Sequence, residues 1–138
     1  DLAGAEELFR DAAKEGHAGS QYELGRFYAN GTVVERDDAV AAVWYEKAAE
    51  QGYAAAQYEL GKARDKGRGV APFKDRAARW YRKAAEQGHA SAQHRLGVLY
   101  LNGDGVTQDK SAAVEWLQRA AAQGHPEAEK RLDEITGS

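Results

Sequence analysis

The chain has 138 residues, of which 43% are apolar and 30% charged, and it carries a net charge of −3 with no cysteine and no methionine. A chain of this length can bury one core, its lack of thiols excludes a disulfide framework and thiolate metal sites, and no apolar run approaches the roughly 20 residues of a membrane span. No leader-like segment opens it at Asp1, but a chain without any methionine reads as an excised or processed piece whose leader would be gone, so cytoplasm and periplasm stay equally open.

Taken in order, residues 1–16 read as a single helix, with Leu8-Phe9 and Ala12-Ala13 on its apolar side and Gly16 closing it. Residues 18–30 form a second helix, type A, because Ser20, Leu24 and Tyr28 recur at i, i+4 and i+8 and so share one side. Residues 38–50 form a type B helix through Val40, Trp44 and Ala48 and the adjacent stripe of Ala41, Tyr45 and Ala49, with Asp37 as its N-cap. The pair then recurs. Leu60-Gly61, Trp80-Tyr81 and Ala84-Ala85 repeat it, as do Leu96-Gly97, Trp116-Leu117 and Ala120-Ala121 with Asp109 as N-cap. Residues 126–135 read as a lone A helix through Ala128 and Leu132.

Gly16, Gly52, Gly88 and Gly124 lie 36 residues apart, and Trp44, Trp80 and Trp116 keep the same step. A period in that range is the signature of a solenoid, whose units bury their apolar faces only against one another. The expected division is a half repeat at 1–16, full repeats at 17–52, 53–88 and 89–124, and a half repeat at 125–138. A glycine inside each A helix costs about 1 kcal/mol relative to alanine, which close helix approach would justify. The first helix lacks an A partner, so an exposed apolar side and a preceding repeat, segment or partner are expected.

The shared string, Ala-x-Tyr-x-Leu-Gly, then Tyr-x-x-Gly-x-Gly-Val, then Ala-x-x-Trp-Tyr-x-Lys-Ala-Ala-Glu-Gln-Gly, closely resembles the Sel1-like repeat, a relative of the tetratricopeptide repeat, over essentially the whole chain. The resemblance implies an all-α, right-handed superhelix of antiparallel helix pairs. Its concave face, lined mainly by A helices, would bind proteins or peptides, which is scaffold or adaptor work. An immunity-type inhibitor that neutralises a secreted toxic effector is the alternative within the same resemblance. Three positions depart from the pattern: Arg64 replaces the tyrosine of Tyr28 and Tyr100, Phe73 replaces the aspartate of Asp37 and Asp109, and Val33 replaces the glycine of Gly69 and Gly105.

If the A helices line the concave face, the groove positions are Tyr22, Glu23, Arg26 and Asn30, then Tyr58, Glu59, Lys62 and Lys66, then His94, Arg95, Val98 and Asn102, with Lys130 and Arg131 from the last half repeat. Tyr22 and Tyr58 offer rigid contact area with a polar tip, or else pack against the next A helix. The cations make the groove mildly positive, so the expected partner is a protein or peptide of acidic character, or one presenting its C-terminal carboxylate. The chain itself is expected to be a monomer.

No catalytic constellation is visible. Ser91 and His94 are the hydroxyl–histidine neighbours on one predicted helix turn, with no acid to orient the histidine. His17, His89 and His125 share one repeat position, and His89 and His94 are five apart, off the spacing of two ligands on one helix face, so no metal or other cofactor is expected. In the loop Asn102-Gly103-Asp104-Gly105, a calcium-loop register would put Tyr100 and Ser111 at the strongest ligand positions, which excludes it.

Charge is uneven. Residues 53–88 carry nine Lys or Arg against four Asp or Glu, whereas 17–52 carry three against six. Arg68, Lys74, Arg76, Arg79, Arg82 and Lys83 lie on the loop and B helix of that basic repeat and are expected to form a second, convex surface. The sequence pI of about 5.8 and a lack of exposed aromatics among those arginines argue against nucleic acid there.

Overall fold

The computed structural model describes residues 1–137. Eight helices follow in chain order: α1 (Leu2–Lys14), α2 (Ala18–Asn30), α3 (Asp38–Glu50), α4 (Ala54–Lys66), α5 (Lys74–Glu86), α6 (Ala90–Asn102), α7 (Lys110–Ala122) and α8 (Pro126–Thr136). No strand occurs among the described residues. The substantial helix contacts all join helices consecutive in the chain, as in an α-solenoid, where each unit touches only its neighbours. None of these helices is long and apolar enough to cross a membrane.

Local chemistry sets the helix ends. Asp37 and Asp109 accept the amides of Val40 and Ala112 at 3.1 and 3.0 Å, as N-caps should. Phe73 starts α5 with no side-chain cap and leaves its ring 43% exposed. The A helices α2, α6 and α8 use a cap that the sequence reading missed, whereas α4 starts at Tyr53 without one. His17, His89 and His125 each place Nδ1 within 3.1 to 3.3 Å of the amide of the third helical residue, at Ser20, Ala92 and Ala128. An imidazole nitrogen accepts only through its unprotonated lone pair, so all three caps require neutral histidine.

Packing explains the small residues. A methyl group added at Gly61 would lie 2.7 Å from the Tyr81 ring, and one at Gly25 the same distance from Tyr45. Tyr81, with Ala77, Ala84, Leu96 and Leu99, belongs to one buried cluster, and Leu60 with Ala48, Ala49 and Ala56 to another. Buried glutamines join the repeats: Gln57 Nε2 donates to the Ala49 carbonyl at 3.2 Å, while its Oε1 accepts from Gln87 at 2.8 Å. The same arrangement holds at Gln21 with Gln51 and at Gln93 with Gln123. Buried amides paired in this way avoid the penalty of unsatisfied polar groups and tie each repeat to the next in one register.

Two inter-helix turns press against the preceding B helix. A methyl at Gly69 would come within 2.2 Å of the Asp38 carbonyl oxygen, and one at Gly105 within 2.4 Å of the Lys74 backbone. At the corresponding place Val33 adopts φ 68 and leaves its side chain exposed. On α1, Leu2 and Leu8 are exposed, as expected for its unpaired side.

Candidate partner-binding face

Three A helices present equivalent residues in succession. Tyr22 on α2, Tyr58 on α4 and His94 on α6 are half-buried, each against the N-cap residue of the next A helix: Tyr22 tilted against Tyr53 at 5.3 Å, Tyr58 stacked on His89 at 4.7 Å and His94 stacked on His125 at 4.8 Å between ring centroids. The two tyrosines therefore form part of the joint between repeats and expose only one side. Burial raises the Tyr22 pKa and lowers those of His89 and His94, so these rings stay neutral near pH 7.

Around this aromatic row lie the charges. Arg26 pairs with Glu23 at 3.3 Å and approaches the Tyr22 ring, and Lys62 pairs with Glu59 at 3.3 Å and lies 4.9 Å from the Tyr58 ring centre. Arg95 is half-buried beside Tyr58, Tyr81 and Asp65. Asn30, Lys66, Asn102 and Lys130 are exposed. The structure brings Arg26, Asn30, Glu59 and Lys62 together around one cavity of about 220 Å³. It gathers His94, Val98, Lys130 and Arg131 around another, with Glu127 and Glu134. Neighbouring A helices thus share their sites, though residues in different repeats are some 36 positions apart in sequence.

The basic set of the second repeat divides. Arg76, Arg79 and Lys83 gather with Arg64 and Glu46 around Trp80, whereas Lys74 is ion-paired to Asp65 and Arg82 lies over the Tyr100 ring. Arg68 faces the other way, into the cavity shared with Arg26 and Lys62, because the tight turn at Gly67 and Gly69 folds it back over α3. Contrary to the sequence expectation, aromatics do interleave with these cations. Phe73 lies exposed with the Arg76 guanidinium 4.4 Å from its ring centre, and Lys83 lies 4.8 Å from that of Trp80. The uncapped start of α5 leaves Phe73 outside the core, which the one-dimensional pattern does not show.

Two histidine contacts also escaped the sequence. The Ser20 hydroxyl lies 2.9 Å from His17 Nδ1, a closer hydroxyl–histidine pair than the Ser91–His94 spacing suggested, since capping folds the histidine back over the first turn. Ser20 is buried, its amide and hydroxyl both meet His17 Nδ1 at the helix start, and among the described residues no carboxylate is hydrogen-bonded to His17. The ligand-type atoms of His94, His125 and Glu127 lie within 4.8 Å of one another. Of these, His125 spends Nδ1 on the Ala128 amide and holds Nε2 3.4 Å from Glu127. A metal on Nε2 would force the proton onto Nδ1, against that amide hydrogen, so the group reads as a cap and a stack.

The Sel1 repeat model matches residues 18–53, 54–89 and 90–125. A search of curated protein sequences found no match. Among solved structures, a protective antigen of uropathogenic Escherichia coli strains displaying an SLR fold superposes with a TM-score of 0.95 at 42% identity, over 98% of this chain and 29% of its own length. This chain thus spans less than a third of that relative. A Sel1 repeat protein from Oxalobacter formigenes superposes with a TM-score of 0.85 at 40% identity, over 93% of this chain and 96% of its own. Helicobacter pylori cysteine rich protein B shares the fold with a TM-score of 0.70 at 22% identity, over 92% and 96% of the two chains. With three contiguous repeats matched and two relatives at 40% identity or above, the chain belongs to the Sel1 repeat family, whose members are in general protein–protein interaction modules.

Proposed function

We propose that the chain is a non-enzymatic scaffold that binds a protein or peptide partner of acidic character along the concave face of its A helices. The observation that carries this reading is the repetition, on α2, α4 and α6, of a half-buried ring flanked by polar or charged residues, as at Tyr22 with Arg26 and Asn30. A rigid aromatic presented with one side open and a polar rim around it is what interface centres use. Arg26, Lys62, Lys66, Arg95, Lys130 and Arg131 supply the positive potential, and Tyr22, Glu23, Tyr58, Glu59, His94, Val98, Asn30 and Asn102 complete the face.

The test uses exposed residues, so that the joints between repeats stay intact. Affinity capture from the source cell with mass spectrometry compares the native chain with Arg26→Glu/Lys66→Glu/Lys130→Glu and with Arg76→Glu/Arg79→Glu/Lys83→Glu. The groove reading expects the first triple variant to lose the dominant partner, the second to keep it, and native capture to weaken as salt rises. Retention by the first and loss by the second would move the interface to the basic surface of α5 and overturn the reading.

A further inference from the structure

The cavity between the first and second repeats is lined by Arg26, Ala29, Asn30, Arg36, Asp38, Tyr45, Glu59, Lys62, Ala63 and Arg68, among others, and at its base Tyr45 is only 5% exposed. No hydrogen bond from the described residues reaches the Tyr45 hydroxyl. One repeat further on, the equivalent Tyr81 has a partner: its hydroxyl lies 3.2 Å from the Asp65 carboxylate, which is also ion-paired to Lys74. Counting back 36 residues from Asp65 gives Ala29, and back from Leu99 gives Ala63. The scaffold that supplies its own carboxylate to Tyr81 in the second repeat therefore has, around Tyr45 of the first, two alanines and an open space.

The lining charges decide what fits that space. Asp38 and Glu59 are each engaged by a cation of the same wall, Arg36 at 3.2 Å and Lys62 at 3.3 Å. Arg68 has no carboxylate partner among the described residues, and Arg26 is held only by the exposed pair with Glu23. Burial, followed by the nearby Glu59, pushes the Tyr45 pKa up, so its hydroxyl keeps its proton and acts as a donor. What the cavity presents is a set of donors: the Tyr45 hydroxyl, the Arg68 guanidinium and the Asn30 amide, with Arg26 at the rim in its exposed pair with Glu23.

We infer that this cavity binds a carboxylate of the partner, most simply an Asp or Glu side chain, in the place that Asp65 fills one repeat on. The inference rests on the groove reading above for the partner's character, and on the cavity alone for the subsite. It assigns one defined anchor within a long face: Tyr45 donating from below, Arg68 and Arg26 from the rim.

The test follows backbone amides by ¹H–¹⁵N NMR while the tetrapeptide acetyl-Gly-Glu-Glu-Gly-amide is added to the full chain. The controls are acetyl-Gly-Gln-Gln-Gly-amide and the same glutamine peptide with a free C-terminus. Saturable shifts at the amides of Ala29, Ala42 and Ala63 are expected with the glutamate peptide and not with the neutral one. Tyr45→Phe, which removes one oxygen and leaves the packing, is expected to weaken binding at least about tenfold, the worth of a hydrogen bond to a charged group. Ala29→Asp builds in the missing carboxylate and is expected to abolish the shifts. Equal binding by the free C-terminus would support the carboxylate pocket and identify a chain terminus as the source. Shifts that survive Tyr45→Phe unchanged, or that the neutral peptide reproduces, would overturn the inference. Shifts along α2, α4 and α6 that spare these three amides would refute the pocket and leave the groove reading standing. Pocket shifts combined with capture insensitive to Arg26→Glu/Lys66→Glu/Lys130→Glu would refute the groove and leave the pocket.

Discussion

Gly61→Ala separates local propensity from tertiary packing, because the two predict opposite signs. Within a helix interior, replacing glycine by alanine stabilises by about 1 kcal/mol. In this structure the added methyl would lie 2.7 Å from Tyr81 Cδ1 and 2.8 Å from Cε1, where carbon–carbon contacts favour roughly 3.5 to 4.0 Å. The ring would have to retreat by about 1 Å. It has no slack, being 0% exposed, packed with Leu96 and Leu99 and held at its hydroxyl by Asp65. Overpacking of this kind costs about 1 to 3 kcal/mol, and the rigidity of the site places Gly61→Ala at the upper end. After the propensity gain, a net loss of about 2 kcal/mol is expected. Gly4→Ala in α1 is the control, because its methyl meets only the flexible Asp1 side chain, at 3.2 Å, and a gain of up to about 1 kcal/mol is expected. Urea unfolding followed by circular dichroism measures both. If Gly61→Ala unfolds at the same or a higher midpoint than the native chain with an unchanged slope, close approach is not what the helix glycines are for.

Two further predictions concern the helix starts and the first turn. Burial depresses the folded-state pKa of His89, so below the unfolded value of about 6.5 the unfolded chain binds more protons, and stability should fall as the pH drops from 7.5 toward 5. His94 is shifted in the same direction; His89→Asn keeps a capping acceptor without a titration and should flatten the fall in melting temperature, and an unchanged pH profile would rule out the neutral cap. Val33 holds φ 68, a conformation costing a β-branched residue about 1 to 2 kcal/mol, while its exposed side chain buries little. Val33→Gly should raise stability by about 0.5 to 1 kcal/mol once the extra freedom of glycine in the unfolded chain is offset, and a drop in the urea midpoint would contradict that strain.

The helix boundaries and the N-caps at Asp37 and Asp109 were legible in sequence, because each depends on spacing within a few residues and the helix pattern recurs along the chain. The repetition also exposes its own exceptions, Phe73 and Val33. The candidate face was legible only as a set of helix positions. Sequence could place Tyr22 and Tyr58 at equivalent positions of their helices, but it could not choose between binding and packing, since the ring partners Tyr53 and His89 lie 31 residues away. Nor could it show that Arg68 turns toward Arg26 and Lys62 while Arg76 and Arg79 gather around Trp80, a division set by the backbone of the Gly67–Gly69 turn.

By itself, then, the 36-residue period determined the architecture, because a helix pair that repeats with one apolar stripe has no stable arrangement other than stacking on its copies. Tertiary structure alone decided where the stack is left incomplete. The sequence shows aspartate at 65 and alanine at 29, but only the folded helix pair brings that position to the tyrosine hydroxyl, so that Tyr81 meets a carboxylate and Tyr45 an open cavity.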